Sequence, residues 1–226
     1  MKTNEKSKFL AYAVIIAAFL CAGIFVFNLL NKRQWTPDIL EKGLTAYEAG
    51  DFKQAFDCFN AGDTAGDPQS SFVLGALYLN GLGVERNVEK AENLYIKSAK
   101  NGYVPAMTTL AFLYAGGDLI PQNIEAAYTY MAEAAAKNDR EAQITLGTWY
   151  ENGFLGKKDT LAAVKWYTKA ALNGDKNAKM ALALIYREGK GLVAPNIFTS
   201  KRWYDSIEKQ SVYEKRFKGE GSDISK

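Results

Sequence analysis

The stretch AQITLGTWYENGFLGKKDTLAAVKWYTKAALNGD, Ala142 to Asp175, contains one complete helical hairpin. Ala142, Leu146, Gly147 and Tyr150 recur at i, i+4, i+5 and i+8, the spacing of one stripe on a helix. Gly147 lets a neighbouring helix come close, while Leu146 and Tyr150 fill the space around it. Gly153 then follows the first helix in the manner of a C-terminal glycine. The polar connection Phe154 to Thr160 leads to a second helix carrying Ala163, Trp166, Tyr167, Ala170 and Ala171, and Asn173-Gly174-Asp175 stops it. A single hairpin cannot bury such a stripe, so hairpins must stack.

Working outward, the same pattern returns every 36 residues. Leu74, Leu110, Leu146 and Leu182 fall in register, as do Tyr78, Tyr114, Tyr150 and Tyr186, and Gly81, Gly117, Gly153 and Gly189. Small residues alternate as Gly75, Ala111, Gly147 and Ala183. Second-helix positions hold Ala91, Ala127 and Ala163, with Thr199 at the same phase in the last unit. Tyr95, Met131, Tyr167 and Trp203 share another phase. Being in phase with the leucines, the tyrosines from Tyr78 to Tyr186 are expected in the core. Upstream, Tyr47, Gly50, Phe52, Ala55, Phe59 and Gly66 form a related unit with a shorter connection. The expected fold is all-α, a stack of about five helix pairs beginning near Thr36.

The pattern A-x3-LG-x2-Y-x2-G followed by A-x2-WY-x2-AA-x2-G resembles the Sel-one-like repeat family, relatives of the tetratricopeptide repeats. The first unit, YEAGDFKQAFDCF, resembles a plain tetratricopeptide. The resemblance covers roughly residues 40–210, and it implies an α/α superhelical solenoid that binds proteins or peptides. Two places depart from the family pattern: Gly116-Gly117-Asp118 in one connection, and Thr199 with Arg202 in the last unit, which reads as a modified cap.

The N-terminal end is different. Phe9 to Leu30 reads FLAYAVIIAAFLCAGIFVFNLL, without a charge. As a helix of about 1.5 Å rise per residue it reaches roughly 33 Å, enough for a hydrocarbon core of about 30 Å. Lysines precede it, and Lys32, Arg33 and Trp35 follow as interfacial anchors. The expected organisation is therefore a short basic tail (1–8), a transmembrane helix (9–31), a linker and tetratricopeptide-like pair (32–65), four Sel-one-like repeats (66–210), and a C-terminal cap with a frayed tail (211–226). Three basic residues lie near each end of the span, so flanking charge leaves its orientation undecided. The short N-terminal tail is the simpler segment to leave in the cytoplasm, which exports the body to the periplasmic side of a bacterial inner membrane.

Composition removes much chemistry. There is no histidine, and the two cysteines are Cys21 and Cys58. The commonest general base and metal ligand is missing, and no Cys-rich zinc site or disulfide framework can form. Of 28 basic and 25 acidic residues, five basic and one acidic lie in the first 33, which leaves the body at a net charge of −1. A nearly neutral body is a poor phosphate-backbone binder, so nucleic acid is not an expected partner. Gly81-Leu82-Gly83 and Gly189-Lys190-Gly191 lack the third glycine and the preceding strand of a dinucleotide fingerprint. No catalytic residue, metal ligand or cofactor site is expected, and the chain is read as a non-enzyme.

A partner is expected on the side of each first helix opposite its packing stripe. That side carries Phe72, Leu79, Phe112, Ile144, Thr148, Glu151, Met180, Leu184 and Arg187. By the resemblance these match positions with which tetratricopeptide domains hold ligands. Three readings stay open: curvature buries these groups between repeats, they line a groove for a protein or peptide, or they serve self-association. The last helix, with Lys201, Arg202 and Lys209 diluted by Asp205 and Glu208, reads as a solvated cap. The function expected is a membrane-anchored scaffold that binds a protein or peptide in the bacterial envelope. The alternatives are an exclusion or immunity factor acting on a conjugation or secretion apparatus at the inner membrane, and a hydrolase built on the same solenoid.

Overall fold

Short polar residues with carbonyl or carboxylate side chains punctuate the chain, and they set where each helix begins. A computed structural model describes residues 37–218, with side chains from 38 to 211. It contains ten helices: α1 (Pro37–Glu48), α2 (Phe52–Ala65), α3 (Pro68–Asn80), α4 (Val88–Lys100), α5 (Val104–Gly116), α6 (Ile124–Ala136), α7 (Arg140–Asn152), α8 (Thr160–Leu172), α9 (Lys176–Glu188) and α10 (Ile197–Lys218). The tail at 1–8, the span expected at 9–31 and the chain beyond 218 lie outside the described residues. Among the described residues no helix is long and apolar enough to cross a membrane. The last helix, α10, runs to Lys218.

The first helices of three hairpins are capped by aspartate: Asp67, Asp139 and Asp175 accept from the N–H groups of Ser70, Ala142 and Ala178. The second helices are capped by Asn87, Asn123, Asp159 and Asn196 in the same way. Each such contact satisfies a donor that the helix cannot satisfy itself. Left-handed residues close the other ends, with glycine at Gly81, Gly153 and Gly189, and Asn138 where the equivalent second helices use Gly102 and Gly174.

The chain divides into two units at Ala106, within α5. In the first, α1 packs on α2, α2 on α3, and α3 on α4. Its core holds Ala46, Ala55, Phe59, Leu74 and Leu77. In the second, α6 to α10 pack each on the next. Its core gathers Ala163, Tyr167, Ala170, Ala171, Ala178, Leu182, Ile185 and Val193.

The alternation of Gly and Ala in the first helices now has a cause. A Cβ added to Gly75 would lie 2.9 Å from the Tyr95 ring, and one added to Gly147 would lie 2.5 Å from the Tyr167 ring. Where the small residue is Ala111, the second-helix slot holds Met131 instead, fully buried and flexible. Gly43, with Phe59 3.0 Å from its would-be Cβ, is the same pair in the hairpin with the shorter connection.

The tyrosines expected in the core are half-buried. Tyr78 meets Phe56 edge-on at 5.7 Å, Tyr114 stacks on Tyr130 at 6.0 Å, and Tyr150 meets Tyr128 edge-on at 6.2 Å. The fully enclosed rings are Phe59, Tyr95 and Tyr167, opposite the glycines. The first-helix tyrosines serve the fold through their backbone. The carbonyls of Tyr78, Tyr114, Tyr150 and Tyr186 accept from the N–H groups of the second-helix caps Asn87, Asn123, Asp159 and Asn196.

That ladder also corrects the register of the last unit. The first three connections run six residues from glycine to cap, whereas Gly189 to Asn196 runs seven. Ala91, Ala127 and Ala163 donate to their cap carbonyls, and in α10 the residue doing so is Ser200, not Thr199. Ser200 is buried, and its hydroxyl donates to the Ala183 carbonyl at 2.8 Å. Spacing by 36 misplaced α10 by one position because the extra residue is absorbed in the connection. The Gly117 connection, by contrast, keeps both length and geometry. Gln122 donates to the Ala115 carbonyl as Arg86 does to that of Leu79.

Enclosure pushes the phenols of Tyr95 and Tyr167 up from the ordinary value of about 10 to about 12, chiefly by burial. A raised phenol favours the folded state fully below pH about 10. As pH rises from about 10 to 12 the unfolded chain loses those protons first and stability drains away. Urea midpoints measured across this window should fall for the wild type and fall less for Tyr95→Phe/Tyr167→Phe. Parallel slopes would show that these phenols do not govern alkaline unfolding.

Candidate partner-binding face

The nine side chains expected to face a partner do not share one environment. In the first unit, Phe72 is half-buried and lies in an aromatic trio, 5.5 Å from Tyr95 and 5.3 Å from Tyr103. Leu79 is half-buried at the end of α3. Both are substantially committed to packing.

In the second unit, the Gly147 and Tyr167 pair decides what its neighbours do. Placing a phenol against a glycine buries a hydroxyl, and a buried hydroxyl needs partners. Tyr167 Oη donates to Glu151 Oε2 at 2.9 Å and lies 3.2 Å from Thr148 Oγ1. The Thr148 hydroxyl also donates to the Ile144 carbonyl, and Glu151 Oε1 accepts from Lys190 Nζ at 3.2 Å. This last contact holds the Lys190 ammonium above its ordinary pKa, the hydrogen bond to Glu151 being the largest cause. Thr148 and Glu151 thus complete the interior. Ile144 is half-buried against the α8–α9 core, Leu184 is half-buried on α9, and the exposed Arg187 pairs with Glu188 at 3.1 Å.

Phe112 and Met180 are the apolar members of the nine that remain open, at 49% and 39% exposure. Phe112 stands edge-on to Trp149 at 6.4 Å, and Trp149 packs on the exposed Phe154 at 4.9 Å. Trp149 occupies the slot that Leu77, Leu113 and Ile185 fill in the other hairpins, and Phe154 follows it in the connection. This aromatic run escaped the sequence reading, although an indole in an aliphatic slot was the signal for it. Such a surface offers shape and dispersion, with aromatic edges that suit a docking partner. It offers no acid–base pair, and no group of residues that could hold a metal ion occurs among the described residues.

Comparison with known proteins places this geometry. The Sel1 repeat profile matches residues 68–103, 104–139, 140–175 and 177–207, more than half of the chain. The chain is similar to the crystal structure of a Sel1 repeat protein from Oxalobacter formigenes, with 29% identity, a TM-score of 0.63, and coverage of 77% of this chain and 69% of that one. It is similar also to c5321, a protective antigen of uropathogenic Escherichia coli strains with an SLR fold, with 29% identity and a TM-score of 0.62. That alignment takes in 78% of this chain and 41% of c5321, so the chain spans about two fifths of that relative. The immunity protein Pa5087 from Pseudomonas aeruginosa aligns at 18% identity with a TM-score of 0.42, covering 77% of this chain and 83% of that one. A superposition that loose carries nothing about function. No curated protein sequence matches. Sel1 repeat proteins are protein-interaction scaffolds. With four repeats matched over more than half of its length, the chain belongs to the Sel1 repeat family.

Proposed function

We propose that this protein is a membrane-anchored Sel1 repeat scaffold that holds a protein or peptide partner in the bacterial envelope, its repeats on the periplasmic side of the inner membrane. The observation that carries the partner site is Phe112, half-exposed beside Trp149 and Phe154 on a folded helix face. Apolar groups left open together mark interaction surfaces more often than isolated ones do. The uncharged run Phe9 to Leu30, flanked by basic residues, supports the anchor. The absence of histidine and the lack of an acid–base pair on this face favour a binding role over a hydrolytic one.

The face is tested in cells by placing a photo-crosslinking residue at position 112 or 180, with exposed Leu172 as a control position. Positions 112 and 180 should give a discrete adduct that position 172 does not, and Phe112→Ser/Met180→Ser should weaken capture with helical content unchanged. Equal adducts from all three positions would sink the site. Orientation is tested in a Cys58→Ser background carrying Ser222→Cys. Labelling by a membrane-impermeant thiol reagent on intact spheroplasts should place the repeats outside the cytoplasm, and protection until lysis would reverse that assignment. Burial pushes the Cys58 thiol up, which disfavours the thiolate form.

A further inference from the structure

A second recess opens at the connection edge of the last two hairpins, and it meets the face above only at Glu151. A cavity of about 1050 Å³ lies between the α7–α8 connection and the α9–α10 connection. Its walls are of two kinds. Lys157, Lys158 and Lys165 line it without an ion-pair or hydrogen-bond partner among the described residues. The carboxylates beside them are already engaged: Glu151 accepts from Tyr167 and Lys190, and Asp159 caps α8 through the Ala162 N–H. Four ammonium groups, Lys190 included, stand against two carboxylates, so the recess carries a net charge of +2.

Leucines complete the lining. Leu155, Leu161 and Leu192 border the same cavity, with Leu192 85% exposed and Leu161 45%. The two connections are held together closely, because a Cβ on Gly191 would lie 2.5 Å from Thr160 Oγ1. We infer that this cleft binds an extended acidic-apolar peptide segment of a protein partner, its carboxylates on Lys157, Lys158 and Lys165 and its apolar side chains against Leu161 and Leu192. Charge complementarity selects the acidic groups, and the exposed leucines select apolar ones between them. A free phosphate or other small anion would leave the leucines uncovered. A flat bilayer does not enter a recess between two loops, and the near-neutral body offers no track for a nucleic-acid backbone.

The test uses the full chain in neutral detergent and a displayed library of short random peptides. Selected peptides should be enriched in Asp and Glu together with Leu, Ile or Phe. Their affinity should drop by about tenfold or more in Lys157→Glu/Lys158→Glu/Lys165→Glu, and fall with added salt. Leu161→Ser/Leu192→Ser, which alters only exposed side chains, should weaken the same peptides, and circular dichroism checks that both variants fold. Phe112→Ser/Met180→Ser should leave them unaffected, which separates this cleft from the aromatic face. Selection of peptides without acidic enrichment, or affinity insensitive to the triple charge reversal, would overturn the inference. So would stronger charge-dependent binding to phosphatidylserine vesicles than to any selected peptide.

Discussion

Gly83→Ala should unfold the first hairpin at temperatures where the wild type is intact. Gly83 lies in the α3–α4 connection with φ +70° and sits directly on the start of α2. A Cβ there would lie against the carbonyl oxygen of Phe52, 2.5 Å from its carbonyl carbon and 2.9 Å from the Lys53 nitrogen. Backbone atoms at a helix N-terminus cannot swing aside as a side chain can. The substitution also forces an L residue into the left-handed region, where it is strained in open space too. Together the two effects should cost about 3–5 kcal/mol. In a repeat protein such a loss falls on neighbouring elements first. Hydrogen exchange should therefore show protection lost in α1 and α2 ahead of α7 to α9. Uniform loss, or a melting temperature close to wild type, would show that the connection yields.

Gly147→Ala should be the next most damaging single change, and it should be repairable. Alanine is the better helix former by about 1 kcal/mol, so propensity alone favours the variant. Packing opposes it, since the new methyl would sit 2.5 Å from Tyr167 Cε1 and 2.6 Å from Cδ1, against a ring only 4% exposed. Overpacking an enclosed ring costs about 1–3 kcal/mol, and any displacement also strains the Tyr167 bonds to Glu151 and Thr148. A net loss near 2 kcal/mol is expected in chemical denaturation. Gly147→Ala/Tyr167→Met copies the pairing of Ala111 with Met131 and should recover much of the loss. Additive rather than compensating effects would show that the two positions are not coupled through this contact.

Leucine, tyrosine and glycine at constant spacing told where the helices are, because helix boundaries depend on residues close in sequence. What spacing did not reveal depends on groups that meet across the fold. Thr148 and Glu151 looked like polar lining of a groove, and only the location of the Tyr167 hydroxyl shows them to be its partners. Tyr78 and its successors looked like core because they share a phase with leucine, yet each is only half-buried. The Gly43 and Phe59 pair was hidden by a connection of different length. Lys179, buried on α9 and donating to Gln210, could not be anticipated either, since its acceptor lies 31 residues away on α10.

The extra residue between Gly189 and Asn196, six where the other three connections have five, has a bearing on how such chains diverge. The fold tolerates it because the cap and the tyrosine carbonyl still find each other, so loop length is a free variable and the cap-to-carbonyl bond is the invariant. Insertions and deletions among descendants of this chain should therefore collect between the helix-ending glycine and the following Asn or Asp of the later connections, and not in the α3–α4 connection, where Gly83 is fixed against the start of α2. Sequences of the lineage are best aligned on those capping residues rather than on a fixed period. The same segments offer points where an epitope or fluorophore can be spliced in without disturbing the helices.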